Sequence, residues 1–206
     1  MYQKLIKRLL DIFVSLLMLP IIIILIIIIS PIIYFEDKGP IFYNAGRRGL
    51  NGKIFKMYKF RSMYNNAPDI RNKDLSTYNS DYDPRVTKVG NFLRKTSLDE
   101  VLQFLNVLKG DMSIIGPRPN LTSKPLESFN YIERKRITIK PGITGYNQAY
   151  FRNSIPQEEK YINDCYYVDN ISFLLDFKII LQTFKTVFTH KNINSNKTDK
   201  DKGLGN

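Results

Sequence analysis

The chain has 206 residues, with 31 Lys and Arg against 19 Asp and Glu and a formal net charge of +12; that length suits one catalytic-sized unit with an anchor and a tail. One cysteine, Cys165, excludes an internal disulfide framework, and one histidine, His190, leaves zinc sites and Ser-His-Asp chemistry without ingredients. The basic excess implies a polyanionic partner, whether phospholipid, nucleic acid or nucleotide phosphate, and any catalysis must rest on carboxylates, Lys, Arg or a hard metal ion.

The run from Ile12 to Phe35 contains no charged residue and is about 36 Å long as a helix, so a bilayer is a plausible solvent for it. A cleavable signal is disfavoured by the length of the run, by Asp11 at its start and by the lack of a small-x-small site. Lys4, Lys7 and Arg8 precede the run, and Lys38, Arg47, Arg48, Lys53 and Lys56 follow it. Basic residues on both flanks favour keeping both in the cytoplasm, which a helix that enters and turns back achieves and a straight span does not. Pro20 and the Ser30-Pro31 pair supply the breaks, since proline removes a backbone donor. A bitopic helix with a proline kink is the competing reading.

From Lys38 to Pro68 there are seven Lys or Arg residues and no acid, a stripe suited to phosphate. Within it, Ile41-Phe42-Tyr43 and the run Ile54 to Phe60 flank Asn51-Gly52, which predicts a short two-stranded hairpin. Lys56 and Lys59 fall on opposite faces of a regular strand, and such lysines serve lipid headgroups as readily as a ligand. Ala67 to Val89 reads as a long polar surface loop. Ser97-Leu98-Asp99-Glu100 has capping-box spacing, with Val101, Leu102, Leu105 and Leu108 following at helical intervals, so a helix is predicted to begin at Ser97. Asp99 would then sit in a first turn, where the helix dipole favours an ionised carboxylate. By itself this spacing fits a plain cap, and Arg94 and Lys95 upstream fit either phosphate binding or a solvated helix end.

Gly116-Pro117-Arg118-Pro119 places an arginine on a restricted turn, suited to phosphate or carboxylate recognition or to nothing more than a turn. Pro141 to Gly145 is a second turn cluster. Beyond it, Tyr146, Tyr150 and Phe151 precede Arg152-Asn153, a combination that fits either a nucleobase or ordinary packing. Ile171 to Phe188 is a very apolar helix, of the core or of the membrane interface, and neighbouring basic residues tilt the choice to the interface. From Asn192 onward the composition predicts disorder. No Walker loop, dinucleotide fingerprint or internal repeat is present.

Taken together, Lys7-Arg8 with Asp11, Lys59-Phe60-Arg61-Ser62-Met63, Arg94 to Glu100, Asn106 to Ser113, Gly116 to Pro119 and Pro141 to Gly145 resemble the bacterial sugar transferase family. Its small members are monotopic phosphoglycosyl transferases, and the resemblance runs from about residue 4 to about residue 190. The chain has Leu102 where the family usually carries proline just after the acidic pair. The family's Ser-Pro membrane break falls about one turn beyond Pro20; the re-entrant break is placed at Pro20, with Ser30-Pro31 nearer the exit.

The resemblance implies transfer of a sugar 1-phosphate from a UDP-sugar to polyprenol (undecaprenyl) phosphate, with UMP released, as a first membrane step of capsule, O-antigen, exopolysaccharide or glycoprotein glycan synthesis. It makes Asp99 the nucleophile, through a covalent aspartyl-phosphosugar intermediate, and Glu100 its partner. It implies Mg²⁺ as cofactor with Asp99 as ligand, and Lys59, Arg61, Arg94, Arg118, Arg152 and Asn153 as substrate contacts. The location implied is the cytoplasmic face of a bacterial inner membrane. Membrane lipids, other glycan-assembly enzymes or a second copy of the chain are the further partners, and nucleic acid is not among them.

The expected fold is α+β and mainly helical. A re-entrant membrane helix occupies residues 1–36, a small globular catalytic domain with a short β-hairpin and amphipathic interfacial helices occupies 37–190, and a polar disordered tail occupies 191–206. One rival reading is a noncatalytic membrane-bound adaptor that binds anionic lipid or a partner and whose acidic pair is only a cap; a second, a membrane-tethered nucleic-acid binder suggested by charge, is disfavoured by the low density of basic residues around aromatic platforms.

Overall fold

A computed structural model describes residues 2–70, 78, 83–152 and 154–189; His190 and the expected tail lie outside the described residues. The charge-free run forms helix α1 (Lys7–Asp37), entered through a π-helical turn at Tyr2–Ile6. Its buried residues are Lys7, Asp11, Ser15, Ile22, Ile29 and Ile33, at intervals of four and seven that keep them on one face. The remaining faces expose large apolar side chains from Leu9 to Phe35, an arrangement suited to lipid rather than water. The helix is long and apolar enough to cross a membrane. Pro20 and Pro31 both lie inside it. The helical element runs on through both, since a proline takes away one helical donor and kinks a helix without having to end it.

Both ends of α1 are tied to the same globular body. At the first end, Lys7 Nζ donates to Asp176 Oδ2 at 2.6 Å, Arg8 Nη1 donates to the Val107 carbonyl at 2.6 Å, and Asp11 Oδ1 accepts from the Ile114 N–H at 2.9 Å. At the other end, Asp37 receives both terminal nitrogens of Arg61, and Ile22, Ile29 and Ile33 join Phe60, Leu93, Val101 and Leu102 in one apolar cluster.

Strands β1 (Phe42–Arg48) and β2 (Ile54–Phe60) form the expected hairpin, antiparallel from Phe42↔Phe60 to Arg48↔Ile54. Asn51 (φ 52°) and Gly52 (φ 79°) occupy the left-handed region in succession, the backbone state for which Asn-Gly is suited. A third strand corrects the two-stranded expectation: β4 (Asn120–Leu121) returns antiparallel to Arg47 and Arg48, giving the order β2-β1-β4. In chain order between β2 and β4 come α2 (Lys88–Thr96), α3 (Gln103–Lys109) and β3 (Ser113–Ile115). After β4 follow α4 (Tyr131–Arg136), β5 (Gly142–Thr144), α5 (Tyr146–Tyr150), α6 (Gln157–Asp169) and α7 (Phe173–Phe188). Strands β3 and β5 pair in parallel.

The predicted loop over Ala67 to Val89 ends earlier, because the Thr87 side chain caps α2 by accepting from the Gly90 N–H. Part of that loop lies outside the described residues. Asn106, fully buried, stitches α3 to β2: its Oδ1 accepts from the Tyr58 N–H at 2.9 Å and its Nδ2 donates to the Lys56 carbonyl at 2.8 Å. Helix α7 starts on a Ser172 cap and buries Asp176 and Ile179, while Phe173, Leu174, Phe177, Leu181 and Phe184 form an exposed apolar stripe. Tyr2, in the π-helical turn before α1, packs edge-on against Phe173 of α7. The architecture is mixed α/β and mostly helical, with a small sheet.

Candidate active site

The acidic pair sits where two helices are joined, not at a helix start. Ser97 is left-handed (φ 59°) and terminates α2, so its side chain cannot cap a following helix; Leu98–Glu100 form a 3₁₀ turn, and α3 begins only at Gln103. The predicted helix start at Ser97 is therefore corrected. The turn is instead fixed by Leu98, Val101 and Leu102, which pack into the cluster that holds α1 to the globular body.

Strand β2 supplies the counterion. Lys59 shares a face with buried Phe55 and Met57, while Lys56 is exposed on the other. Lys59 Nζ stands 2.8 Å from Asp99 Oδ2 and 3.7 Å from Glu100 Oε1. From the Pro117-Arg118-Pro119 turn, Arg118 Nη2 reaches within 3.9 Å of Glu100 Oε1 and leaves most of its side chain in solvent. Arg152, itself left-handed (φ 50°), donates to Ser97 Oγ at 3.5 Å and lies within electrostatic reach of Glu100. Arg94 donates through Nε to Ser62 Oγ at 2.9 Å and interacts with Asp99. Four cations thus face two carboxylates, a balance that favours an incoming polyanion.

The two carboxylates are pushed apart. Burial lifts Asp99 above the ordinary aspartate range against the pull of Lys59, and Glu100 adds to the lift. At Glu100 burial is outweighed by Lys59, Arg118 and Arg152, and the group falls below its ordinary value. Burial likewise lowers Arg94 and Arg152, opposed by Asp99 and Glu100 respectively.

Arg61 is elsewhere. Its guanidinium forks onto Asp37 and also donates to the Pro40 and Met63 carbonyls. These contacts make Arg61 an anchor between the residues after β2 and the end of α1, away from the acidic pair. Asn153 lies outside the described residues. Beside Glu100 and Arg118 opens a shallow cleft that Arg47, Gln103 and Gln148 also line. Arg47 stood out in the sequence only as part of the basic flank, and neither glutamine stood out. The Gln148 Oε1 is buried without a hydrogen-bond partner in the structure, a feature visible only once the cleft is formed.

Among the described residues no group of three His, Cys, Asp or Glu side chains converges. Two adjacent carboxylates still suit Mg²⁺, which keeps several waters and completes its shell with substrate phosphates.

A family model described as bacterial sugar transferase matches residues 2–190, which include every element above. The chain belongs to the bacterial sugar transferase family. It is 38% identical over 187 residues to the sugar transferase EpsL of Bacillus subtilis, covering 91% of this chain and 89% of that one. It is 38% identical over 196 residues to the UDP-glucose:undecaprenyl-phosphate glucose-1-phosphate transferase of Escherichia coli, covering 92% of this chain and 41% of the relative. With the galactosyl transferase CpsE of Streptococcus agalactiae the identity is 45% over 161 residues, 74% of this chain and 35% of the relative. This family member therefore spans less than half the length of several curated relatives it matches, while aligning with EpsL over most of both chains.

Proposed function

We propose that the chain is a phosphoglycosyl transferase that moves a sugar 1-phosphate from a UDP-sugar to a polyprenol phosphate by way of an aspartyl-phosphosugar intermediate. The observation that carries this reading is the buried Asp99 held by Lys59, with Arg94, Arg118 and Arg152 arranged about the acidic pair. With Lys59 on Oδ2, the other carboxylate oxygen attacks the β-phosphorus. The bond from that phosphorus to the oxygen bridging the two phosphates breaks, and UMP leaves with the electron pair. An oxygen of the acceptor phosphate then attacks the same phosphorus and expels the Asp99 carboxylate, giving a polyprenol diphosphate sugar. Two displacements let one side chain meet a soluble donor and a lipid acceptor in turn.

Lys59 and the arginines offset the charge that builds on the transferring phosphoryl group. Glu100, kept ionised by Lys59, Arg118 and Arg152, orients those cations towards the donor. Mg²⁺, held by Asp99 with Glu100 adjacent, would reduce the diphosphate's charge when bound. The names of relatives in Escherichia coli and Salmonella typhimurium include undecaprenyl phosphate as acceptor, which supports the lipid assignment.

The tethering of both ends of α1 to one body supports a membrane dip rather than a crossing. A straight helix of 31 residues is about 46 Å long and would carry Lys7, Arg8 and Asp11 across the bilayer from their partners. Basic flanks and a soluble nucleotide donor support a cytoplasmic catalytic face. The exposed stripe of α7 adds an interfacial contact.

The test is to incubate purified protein with a panel of UDP-sugars labelled in the β-phosphate, quench, and analyse the protein by mass spectrometry. A labelled adduct on Asp99 that polyprenol phosphate discharges is expected, and Asp99→Asn should form none. Product made by wild type without any adduct would overturn the covalent route.

A further inference from the structure

The two arginines that approach Glu100 come from separate parts of the chain, the turn after β3 and the end of α5. A single buried carboxylate links them. Asp164, on α6, is 3% exposed, and so nearly are its partners Arg136 at 4% and Asn147 at 5%. Asp164 Oδ2 accepts from Arg136 Nε at 2.7 Å and pairs with Arg136 Nη2 at 2.7 Å. The other oxygen, Oδ1, accepts from Asn147 Nδ2 at 2.6 Å.

Each partner continues to one arginine of the site. Arg136 Nη2 donates to the Arg118 carbonyl at 3.2 Å and Nη1 donates to Asn120 Oδ1 at 2.6 Å, bracketing the Pro117-Arg118-Pro119 turn. The Asn147 carbonyl accepts from the Arg152 N–H at 2.7 Å, which holds Arg152 in its left-handed backbone state. The guanidinium of Arg136 also lies 4.1 Å from the centre of the Tyr161 ring, so its plane is fixed on a second side. A buried charge pair with every arm occupied has few alternative arrangements, which suits it to hold a spacing.

We propose that Asp164 is a positioning residue that sets the separation of Arg118 and Arg152 across the mouth of the site, and so the fit to a nucleoside diphosphate. Arg136 carries the setting to Arg118 and Asn147 carries it to Arg152. The proposal rests on the reading of Arg118 and Arg152 as diphosphate contacts. All three network residues are buried.

The experiment measures binding of UDP in the presence of Mg²⁺ to the full chain in detergent, recording both the dissociation constant and the number of sites. Arg136→Lys keeps the charge and loses the planar fork, and Asn147→Ala removes one arm. Each should weaken UDP by about tenfold, as displacement of a contact by a fraction of an ångström does, with the number of sites per folded chain unchanged. A merely structural role would lower the number of sites and leave the dissociation constant where it was.

Arg136→Lys made in an Arg118→Ala background should add less than a further twofold, because its effect passes through Arg118. Equal weakening in both backgrounds, or an unmoved dissociation constant in Arg136→Lys and Asn147→Ala, overturns the proposal. If Arg136→Lys does not fold, the same cycle is run with Asn147→Ala and Arg152→Ala. Should Arg118→Ala and Arg152→Ala themselves leave UDP binding intact, the diphosphate reading fails first.

Discussion

Lys59 Nζ lies 2.8 Å from Asp99 Oδ2, an ion pair between a strand and a tight turn in which the carboxylate is the more deeply buried member. Burial prevails over the lysine and leaves Asp99 above its ordinary range, and this sets the pH behaviour of both activity and folding. On the proposed route the attacking Asp99 is ionised, so kcat/KM for the UDP-sugar should fall on acidification with a limb above the ordinary aspartate value of about 4. A limb at or below that value would exclude Asp99 as the group reported. The folded chain also holds a proton on Asp99 that the unfolded chain has lost, so this contribution to stability is present below about pH 4 and is lost as pH rises through the folded value. The stability of wild type relative to Asp99→Asn should therefore decline across that window in denaturant titrations.

Asn106→Ala removes the acceptor of the Tyr58 N–H and the donor to the Lys56 carbonyl. Both backbone groups flank Met57 in the middle of β2 and have no replacement partner. The variant should lose about 2 kcal/mol of stability, measured by chemical unfolding in detergent. Asn106→Asp restores the acceptor but sets a buried carboxylate against the Lys56 carbonyl and Asp111, and should recover none of the loss.

Arg61→Lys separates an anchor from a substrate contact. The pair with Asp37 is largely buried, with side chains 6% and 14% exposed, and losing the fork should cost on the order of 3 kcal/mol. Thermal unfolding should show this cost while KM for the UDP-sugar changes less than twofold. A tenfold rise in KM without loss of stability would return Arg61 to the substrate.

For topology, cysteines placed at Gln3 and Lys53 in a Cys165→Ser background should both react with an impermeant reagent applied from the cytoplasmic side of inverted vesicles. Reaction of the two from opposite sides would defeat the membrane dip.

Sequence reading succeeded where one local signal dominates. The charge-free run announces α1, Asn51-Gly52 announces the hairpin because two successive left-handed residues need that chemistry, and the apolar pattern from Ile171 announces α7. It failed where tertiary packing overrides a local rule. Ser97-Leu98-Asp99-Glu100 has the spacing of a capping box, yet Ser97 turns left-handed because Leu98, Val101 and Leu102 must reach the cluster around Ile22, Ile29 and Ile33. The partner of Arg61, just past the end of β2, was equally hidden, because only the end of α1 supplies it. The strand at Asn120 was hidden because two residues carry no periodicity. Of the site, the acidic pair and the four cations around it were named from motifs, whereas Gln103 and Gln148 acquire meaning only from the cleft they line.

The stripe of α1 that meets Phe60 and Leu93 makes the apolar helix a component of the globular body that carries the acidic pair. Cutting the chain before residue 38 to obtain a soluble enzyme would strip Ile22, Ile29 and Ile33 from the packing behind the acidic turn and leave Arg61 without its carboxylate. Such a fragment should aggregate or melt rather than work in water. Extraction has to rely on detergent or polymer-bounded discs, because here the greasy segment is part of the foundation.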